Sequence, residues 1–411
     1  MTTWDREQLQ RRSLRVLLAG QVLSGTGLAA GVTVGALLAE DMIGRTDISG
    51  LPAALLTLGS AAAAFGVGTL SDRRGRRLGL AAGYTAGAVG GALVVVAAVI
   101  DSVPLLLVAL LVYGAGSATN LQARYAGADL ALPEKRGAAI STILVGTTLG
   151  AVAGPNVVGP VGRLVDGWGI PPLAGPFLLA ALAYGLAVVV LMTWLRPDPL
   201  LVARELAIST DGPASAVPQV LDRAALRFGG ISMIVTQIVM VAVMTMTPVH
   251  MREHHHGLGA VGMVIGLHIA AMFLPSPVTG RLADRYGAKP VAAAGGLALL
   301  AAGVVAATAP DDSVALLALA LILLGLGWNL GLLAGTTLIA GAVPIDGRAR
   351  VQGRLDVLVA LSGASGGLAS GFIVASTSYS ALSLGCGLLA LTVLVAAFRP
   401  VRYGVAVGLN T

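Results

Sequence analysis

Two residue types able to bind a soft metal are crowded into one short stretch of this 411-residue chain. Seven of its ten methionines (Met233, Met240, Met244, Met246, Met251, Met263 and Met272) fall between positions 233 and 272, and all five histidines (His250, His254, His255, His256 and His268) fall there too. Two pairs recur at a spacing of four, Met240-x-x-x-Met244 and His268-x-x-x-Met272. On a helix, residues four apart lie one turn above the other on one face. Thioether and imidazole are soft and borderline donors that suit Cu(I), and no carboxylate shares these faces, which argues against Mg, Ca or Mn. Between the pairs lies a second donor cluster of His250, Met251, His254, His255 and His256. Methionine also fills gaps in helical cores, and a buried histidine is usually satisfied by a hydrogen bond, so the pattern has a purely structural reading as well.

The elements that must position these groups follow from composition. The chain is 56% apolar and 11% charged, with a mean hydropathy of +0.86. A soluble protein carries roughly 25% charged residues, so most of this surface meets a solvent other than water. A helix spans the bilayer with about 20 apolar residues, and that window predicts spans at 14–39, 50–70, 78–100, 104–127, 138–160, 173–195, 228–248, 259–279, 290–309, 314–340, 353–375 and 380–398. The expected fold is therefore an all-α membrane protein of twelve transmembrane helices. Its 56 glycines suit helices that pack closely in lipid.

The net charge of +6 could suggest a nucleic-acid partner, but the basic residues sit at the ends of apolar runs. They act as a topology signal, and no nucleic-acid partner is implied. With the N-terminus inside, 23 of the 26 Lys and Arg residues fall on the cytoplasmic side, leaving only Arg45, Arg163 and Arg252 outside. The expectation is a multi-pass protein of the cytoplasmic (inner) membrane with both termini cytoplasmic. The first apolar run is too long for a cleavable signal peptide. One cysteine, Cys386, permits no intramolecular disulfide.

The stretch 196–227 breaks the hydropathy and reads as a cytoplasmic linker between bundles at 1–195 and 228–411. The bundles repeat one another. Gly68-Thr-Leu-Ser-Asp72-Arg73-Arg-Gly75-Arg76-Arg77 returns 212 residues later as Gly280-Arg-Leu-Ala-Asp284-Arg285-Tyr-Gly287-Ala-Lys289. Gly114-x-Gly116 and Pro133 return as Gly325-x-Gly327 and Pro344 at a spacing of 211. One shared spacing for two motifs is a repeat signal. The doubled loop resembles the signature loop of the major facilitator superfamily, whose two halves are parallel repeats related by an axis along the membrane normal. That resemblance implies two pseudo-symmetric six-helix bundles around a cavity that opens alternately to each side. Physically, Gly68 and Gly75 allow close approach and a tight turn. Asp72 can accept from helix ends or pair with Arg76, so Gly68, Asp72, Arg73, Gly75, Arg76, Asp284 and Arg285 form a candidate conformational latch. The alternative is that the arginines only fix topology.

The paired motifs of spans 7 and 8 resemble the copper-importing branch of that superfamily. The resemblance implies that Met240, Met244, His268 and Met272 are membrane copper ligands, with outer capture by the His250–His256 cluster. Copper is then the cargo and no cofactor is implied. Relatives of that branch carry organic solutes such as flavins, which leaves a second class of cargo open. Gly150, Gly154, Pro155 and Gly159 in span 5 resemble the antiporter motif of drug–proton exchangers, with Val158 replacing one glycine, and support a drug or small-metabolite proton antiporter as the alternative. Asp356 in span 11 is the candidate proton-coupling group, since intramembrane acids face a cavity or a partner; pairing with Arg354 or Arg350 as a helix-end anchor is the other reading. Gln21, Asn120, Gln122, Asn156, Gln237 and Asn329 are the polar residues expected near a cavity. No ATP-binding loop and no nucleophile–base constellation is present, so the chain reads as a secondary transporter, not an enzyme, and as a monomer in the lipid bilayer.

Overall fold

A computed structural model describes residues 5–43, 51–210 and 221–398. Among the described residues all regular structure is helical. The first set is α1 (Arg6–Ile43), α2 (Leu51–Arg74), α3 (Arg76–Val99), α4 (Val103–Ala128), α5 (Arg136–Asp166) and α6 (Gly175–Trp194). A short helix, α7 (Pro199–Thr210), occupies the linker. The second set is α8 (Arg223–Glu253), α9 (Leu258–Phe273), α10 (Ser276–Tyr286), α11 (Ala288–Thr308), α12 (Val314–Ala342), α13 (Arg348–Ser376) and α14 (Tyr379–Phe398). Ten segments are long and apolar enough to cross a membrane. That count is of the described residues; α1 and α5, at 38 and 31 residues, are also long enough to cross.

The helix ends follow local chemistry. Gly75 and Gly287 sit at φ +90° and +87° between α2 and α3 and between α10 and α11. Only glycine adopts that backbone without strain, so each repeated loop turns where the sequence places its second glycine. Asp222 caps α8, its carboxylate accepting from the amides of Ala224 and Ala225 at 3.0 and 2.9 Å. This satisfies two of the amides that a helix start leaves without partners.

Two departures from the sequence reading matter. The first helix is longer than the expected span, running from Arg6 to Ile43. The eighth span is broken: α9 ends at Phe273 and α10 begins at Ser276, with Pro275 between them. Proline lacks an amide proton and clashes with the preceding turn, which an apolar run does not reveal.

Within the first set α3 packs on α4 and α6, and α1 on α5 and α6; within the second, α11 packs on α12 and α14, and α12 on α8 and α9. The sets meet through α2 against α13 and α5 against α10. Leu9, Leu130 and Val202 form a small apolar patch that seats α7 against the arginine-rich end of the bundle.

Candidate functional site

At the arginine-rich end, buried charges from one set of helices find partners in the other. Arg124, near the C-terminal end of α4, is fully buried. Its Nη2 donates to Asp356 Oδ1 of α13 at 2.7 Å and its Nε to Thr336 Oγ1 of α12 at 3.0 Å. The Tyr125 hydroxyl lies 3.2 Å from Arg124 Nη2 and 3.4 Å from Asp356 Oδ1. Arg76, the first residue of α3, is equally buried. It grips Asp129 with Nε at 2.7 Å and Nη2 at 3.3 Å, and donates to Gln352 Oε1 of α13 at 2.6 Å.

The repeated aspartates add two more ties. Asp72 receives Arg204 of α7 at 2.8 Å and Arg350 of α13 at 3.0 Å. Asp284 accepts from the backbone amides of Gly137 at 2.7 Å and Ala138 at 2.8 Å, at the start of α5. A carboxylate at a helix N-terminus satisfies orphan amides and opposes the macrodipole. Backbones touch at the same level. A Cβ on Gly68 would come within 2.7 Å of Gly353 Cα, and one on Gly280 within 2.5 Å of the Gly137 carbonyl oxygen.

This pattern differs from the expected latch in its partners. Asp72 does not pair with Arg76; each binds elsewhere because Asp129 and Arg204 offer closer groups. Asp356 does not pair with Arg354 or Arg350, because Arg124 reaches it from the opposite set. Arg73 and Arg285 are exposed, and Arg285 lies over the neighbouring Tyr286 ring at 5.3 Å. Removing one member of a buried ion pair typically costs about 3–5 kcal/mol, because the other charge is left unpaired. Charges paired across the two sets therefore oppose their separation at this end. Arg124 was missed as a site residue, since it stands near the end of an apolar run and reads as a loop charge. Its signal is the polar company it keeps within that run: Asn120, Gln122 and Tyr125.

Further along the bundle, most of the polar residues expected at a cavity bridge helices instead. Gln21 donates to the Asn120 carbonyl and to Thr147, and accepts from Tyr84. Gln122 donates to the Ala64 carbonyl at 2.6 Å. Asn329 donates to the Met272 carbonyl and Ser276 hydroxyl, both at 2.7 Å, and so supports the break between α9 and α10. Gln237 bridges two helices as well. Half-buried on α8, it accepts from Trp328 Nε1 of α12 at 2.9 Å. The Trp328 ring meets Phe273 of α9 edge-on, with centroids 5.5 Å apart. Trp328 thus stands between α8 and α9, on a tryptophan that the sequence did not mark.

The paired Met and His residues approach α12 from two sides. Met240 lies two helical turns from Met233, whose side chain packs against Gly335 of α12. The backbone of His268 and Met272 runs against Gly325 of the same helix. Both α8 and α9 pack far more extensively on α12 than on each other. The helices that carry the two pairs thus meet chiefly through α12, where matched depth alone suggested a direct meeting. Met240 and Met272 are buried in the apolar core, with Met244 partly buried against it. His268 is fully buried; its Nδ1 donates to the Leu321 carbonyl at 2.8 Å, and its Nε2 has no hydrogen-bond partner. A carbonyl only accepts, so Nδ1 holds the proton and Nε2 presents a lone pair.

In the second donor cluster, Met251 is buried in the apolar core. His250 and His254 approach Asp311, His256 Nε2 lies 2.8 Å from the Asp311 carbonyl oxygen, and His255 is exposed at φ +61°. Helix α5 runs unbroken through Gly150, Gly154, Pro155 and Gly159. The side chains of 149–159, Asn156 among them, lie outside the described residues.

The family model for the Major Facilitator Superfamily matches residues 17–258 and again 229–410. The chain belongs to this superfamily, whose members are transporters and not enzymes. It is 54% identical over 390 residues, 94% of this chain and 91% of the relative, to a Bacillus subtilis (strain 168) protein named as an uncharacterized MFS-type transporter, YdeG. It is 28% identical over 352 residues, 85% of each chain, to the riboflavin transporter RfnT of Brucella anthropi. In fold it is similar to the human organic anion transporter MFSD10, with a TM-score of 0.77 and 18% identity, covering 94% of this chain and 99% of that one. The chain is thus a multi-pass membrane protein and a secondary transporter.

Proposed function

We propose that this transporter carries a small organic solute with a flat ring, passing between the two helix sets beside Trp328. The arginine-rich end is taken as the cytoplasmic one, and the arginine network closes it. The observation behind this reading is the position of Trp328 between α8 and α9, its indole held by Gln237 and flanked by Phe273. Aromatic faces bind flat rings through offset or edge-to-face contact. Similarity to a riboflavin transporter supports the same class of cargo, since a flavin is a fused flat ring. Asp356 is the point of proton coupling. Its Oδ2 is buried with no hydrogen-bond partner, and protonation would remove the charge that holds Arg124. Closure then depends on proton occupancy.

The test is uptake of labelled riboflavin, and of a panel of flat aromatic solutes, into proteoliposomes under an imposed pH gradient. Trp328→Ala should lower uptake roughly tenfold or more, the scale of a lost aromatic contact plus its buried area, and Asp356→Asn should remove the pH dependence. Wild-type protein that moves none of these solutes would end the reading.

A second reading, Cu(I) import, draws on one observation: the buried His268 presents an unpartnered Nε2 one turn from Met272. It requires copper uptake that falls sharply in His268→Ala and in Met240→Ala. Copper flux unchanged by both variants would remove it.

A further inference from the structure

We propose that His250, His254 and Asp311 form a binding site for one divalent ion of the Zn2+ class, at the end of the second helix set opposite the arginine network. Its ligands are one turn apart on α8, where His250 and His254 close the helix, and in the turn Pro310–Ser313 that precedes α12. His250 Nε2 lies 3.5 Å from Asp311 Oδ1, and His254 Nε2 lies 3.4 Å from Asp311 Oδ2. One donor atom from each residue lies within 4.8 Å of the others.

These separations are longer than a closed ion pair and fit a metal cage. A charge-assisted hydrogen bond closes to about 2.7–2.9 Å, shorter than either contact. Two donors on a tetrahedral zinc ion, each at about 2.0–2.1 Å, sit roughly 3.3–3.4 Å from one another. The lone pairs also point the right way. His254 Nδ1 lies 2.8 Å from the His250 carbonyl oxygen, so in the neutral ring the proton is on Nδ1 and Nε2 turns a lone pair toward the carboxylate. Two lone pairs facing each other repel, and a cation between them resolves the conflict.

The surrounding contacts orient the ligands as outer-shell partners do in metal sites. The His250 ring stacks on Tyr379, with centroids 4.3 Å apart and planes at 12°, and the Tyr379 hydroxyl is held by Thr247 at 2.8 Å. His256 Nε2 donates to the Asp311 carbonyl and fixes the turn. Two imidazoles and one carboxylate suit Zn2+, Ni2+ or Co2+; Cu(I) prefers thiolate and thioether, and Mg2+ and Ca2+ prefer oxygen. His254 and Asp311 are exposed, so the ion enters from water and keeps a solvent ligand. Bound there, it ties the end of α8 to the turn before α12, the two helices that hold Gln237 and Trp328. The site is independent of the cargo.

Full-length, tag-free protein in detergent is titrated with Zn2+ by calorimetry and with Co2+ by visible absorption. One Zn2+ per chain at micromolar affinity or better is expected, with tetrahedral Co2+ bands. Asp311→Asn and His254→Gln should each weaken binding roughly tenfold or more, on the scale seen when metal-site residues are altered. His255→Gln, in the same histidine run, and His268→Ala, which removes the buried imidazole of the copper reading, should leave it unchanged. Absence of stoichiometric binding, or equal weakening by His255→Gln and His254→Gln, would overturn the site.

Discussion

After α2 the loop aspartate, Asp72, is held by two guanidinium groups, Arg204 from the linker helix and Arg350 from the opposite set. After α10 the equivalent Asp284 is held by two backbone amides at the start of α5. The sequence around both is nearly the same, yet one is an ion-pair acceptor and the other a helix cap. The linker explains the difference. It follows the first set only, so α7 can bring Arg204 to Asp72, and Asp198 just before α7 can accept from the Arg77 amide of α3 at 2.7 Å. Among the described residues no corresponding segment does this for α10 and α11. Arg124 breaks the symmetry further, because the position 211 residues on is Gly335, which packs against Met233.

Substitutions can widen or erase this contrast. The largest effect is expected for Arg124→Leu, which strands Asp356 and should cost about 3–5 kcal/mol, while Arg124→Leu with Asp356→Leu should recover most of it. Thermal unfolding in detergent reads both. Gly75→Ala and Gly287→Ala each force a positive φ on a side chain, for about 1–3 kcal/mol. The loss should be greater at Gly75, where the new methyl meets the Asp198 carboxylate; at Gly287 the nearest atom is Pro290 Cδ at 3.9 Å. Equal losses would show that the linker does not bear on the loop. Asp72→Asn should cost about 1–2 kcal/mol, the value of hydrogen bonds to charged groups discounted for the half-exposed Arg350. Asp284→Asn should cost less than about 1 kcal/mol, because the amide oxygen still accepts one N–H. Arg73→Ala and Arg285→Ala, both exposed, should stay within about 0.5 kcal/mol.

Much of this was readable from the residues. Hydropathy marks the membrane-crossing segments, ten of which are found among the described residues, and the doubled loop marks the superfamily and the two positive-φ glycines. What the residues could not show was partnership across the bundle. Asp72, Arg76 and Asp356 each carry an obvious local partner, and each is taken by a group over fifty positions away. Local spacing favours near neighbours, whereas packing of α2 on α13 decides who is close. The Met and His pairs illustrate the same limit. Their spacing and depth are sequence properties, but the presence of α12 and Trp328 between α8 and α9 is not. In the histidine run the reverse holds: Asp311, far along the chain and apparently one more acidic loop residue, completes the cluster.

The proposed role of the buried arginine network, closing the arginine-rich end, is tested most directly by a distance across it. Spin labels at positions 73 and 354, both exposed and on α2 and α13, are measured by pulsed electron resonance in a Cys386→Ser background. A single short distance is expected in the otherwise native protein, with a second, longer population emerging in Arg124→Leu. An unchanged distribution in Arg124→Leu would contradict it.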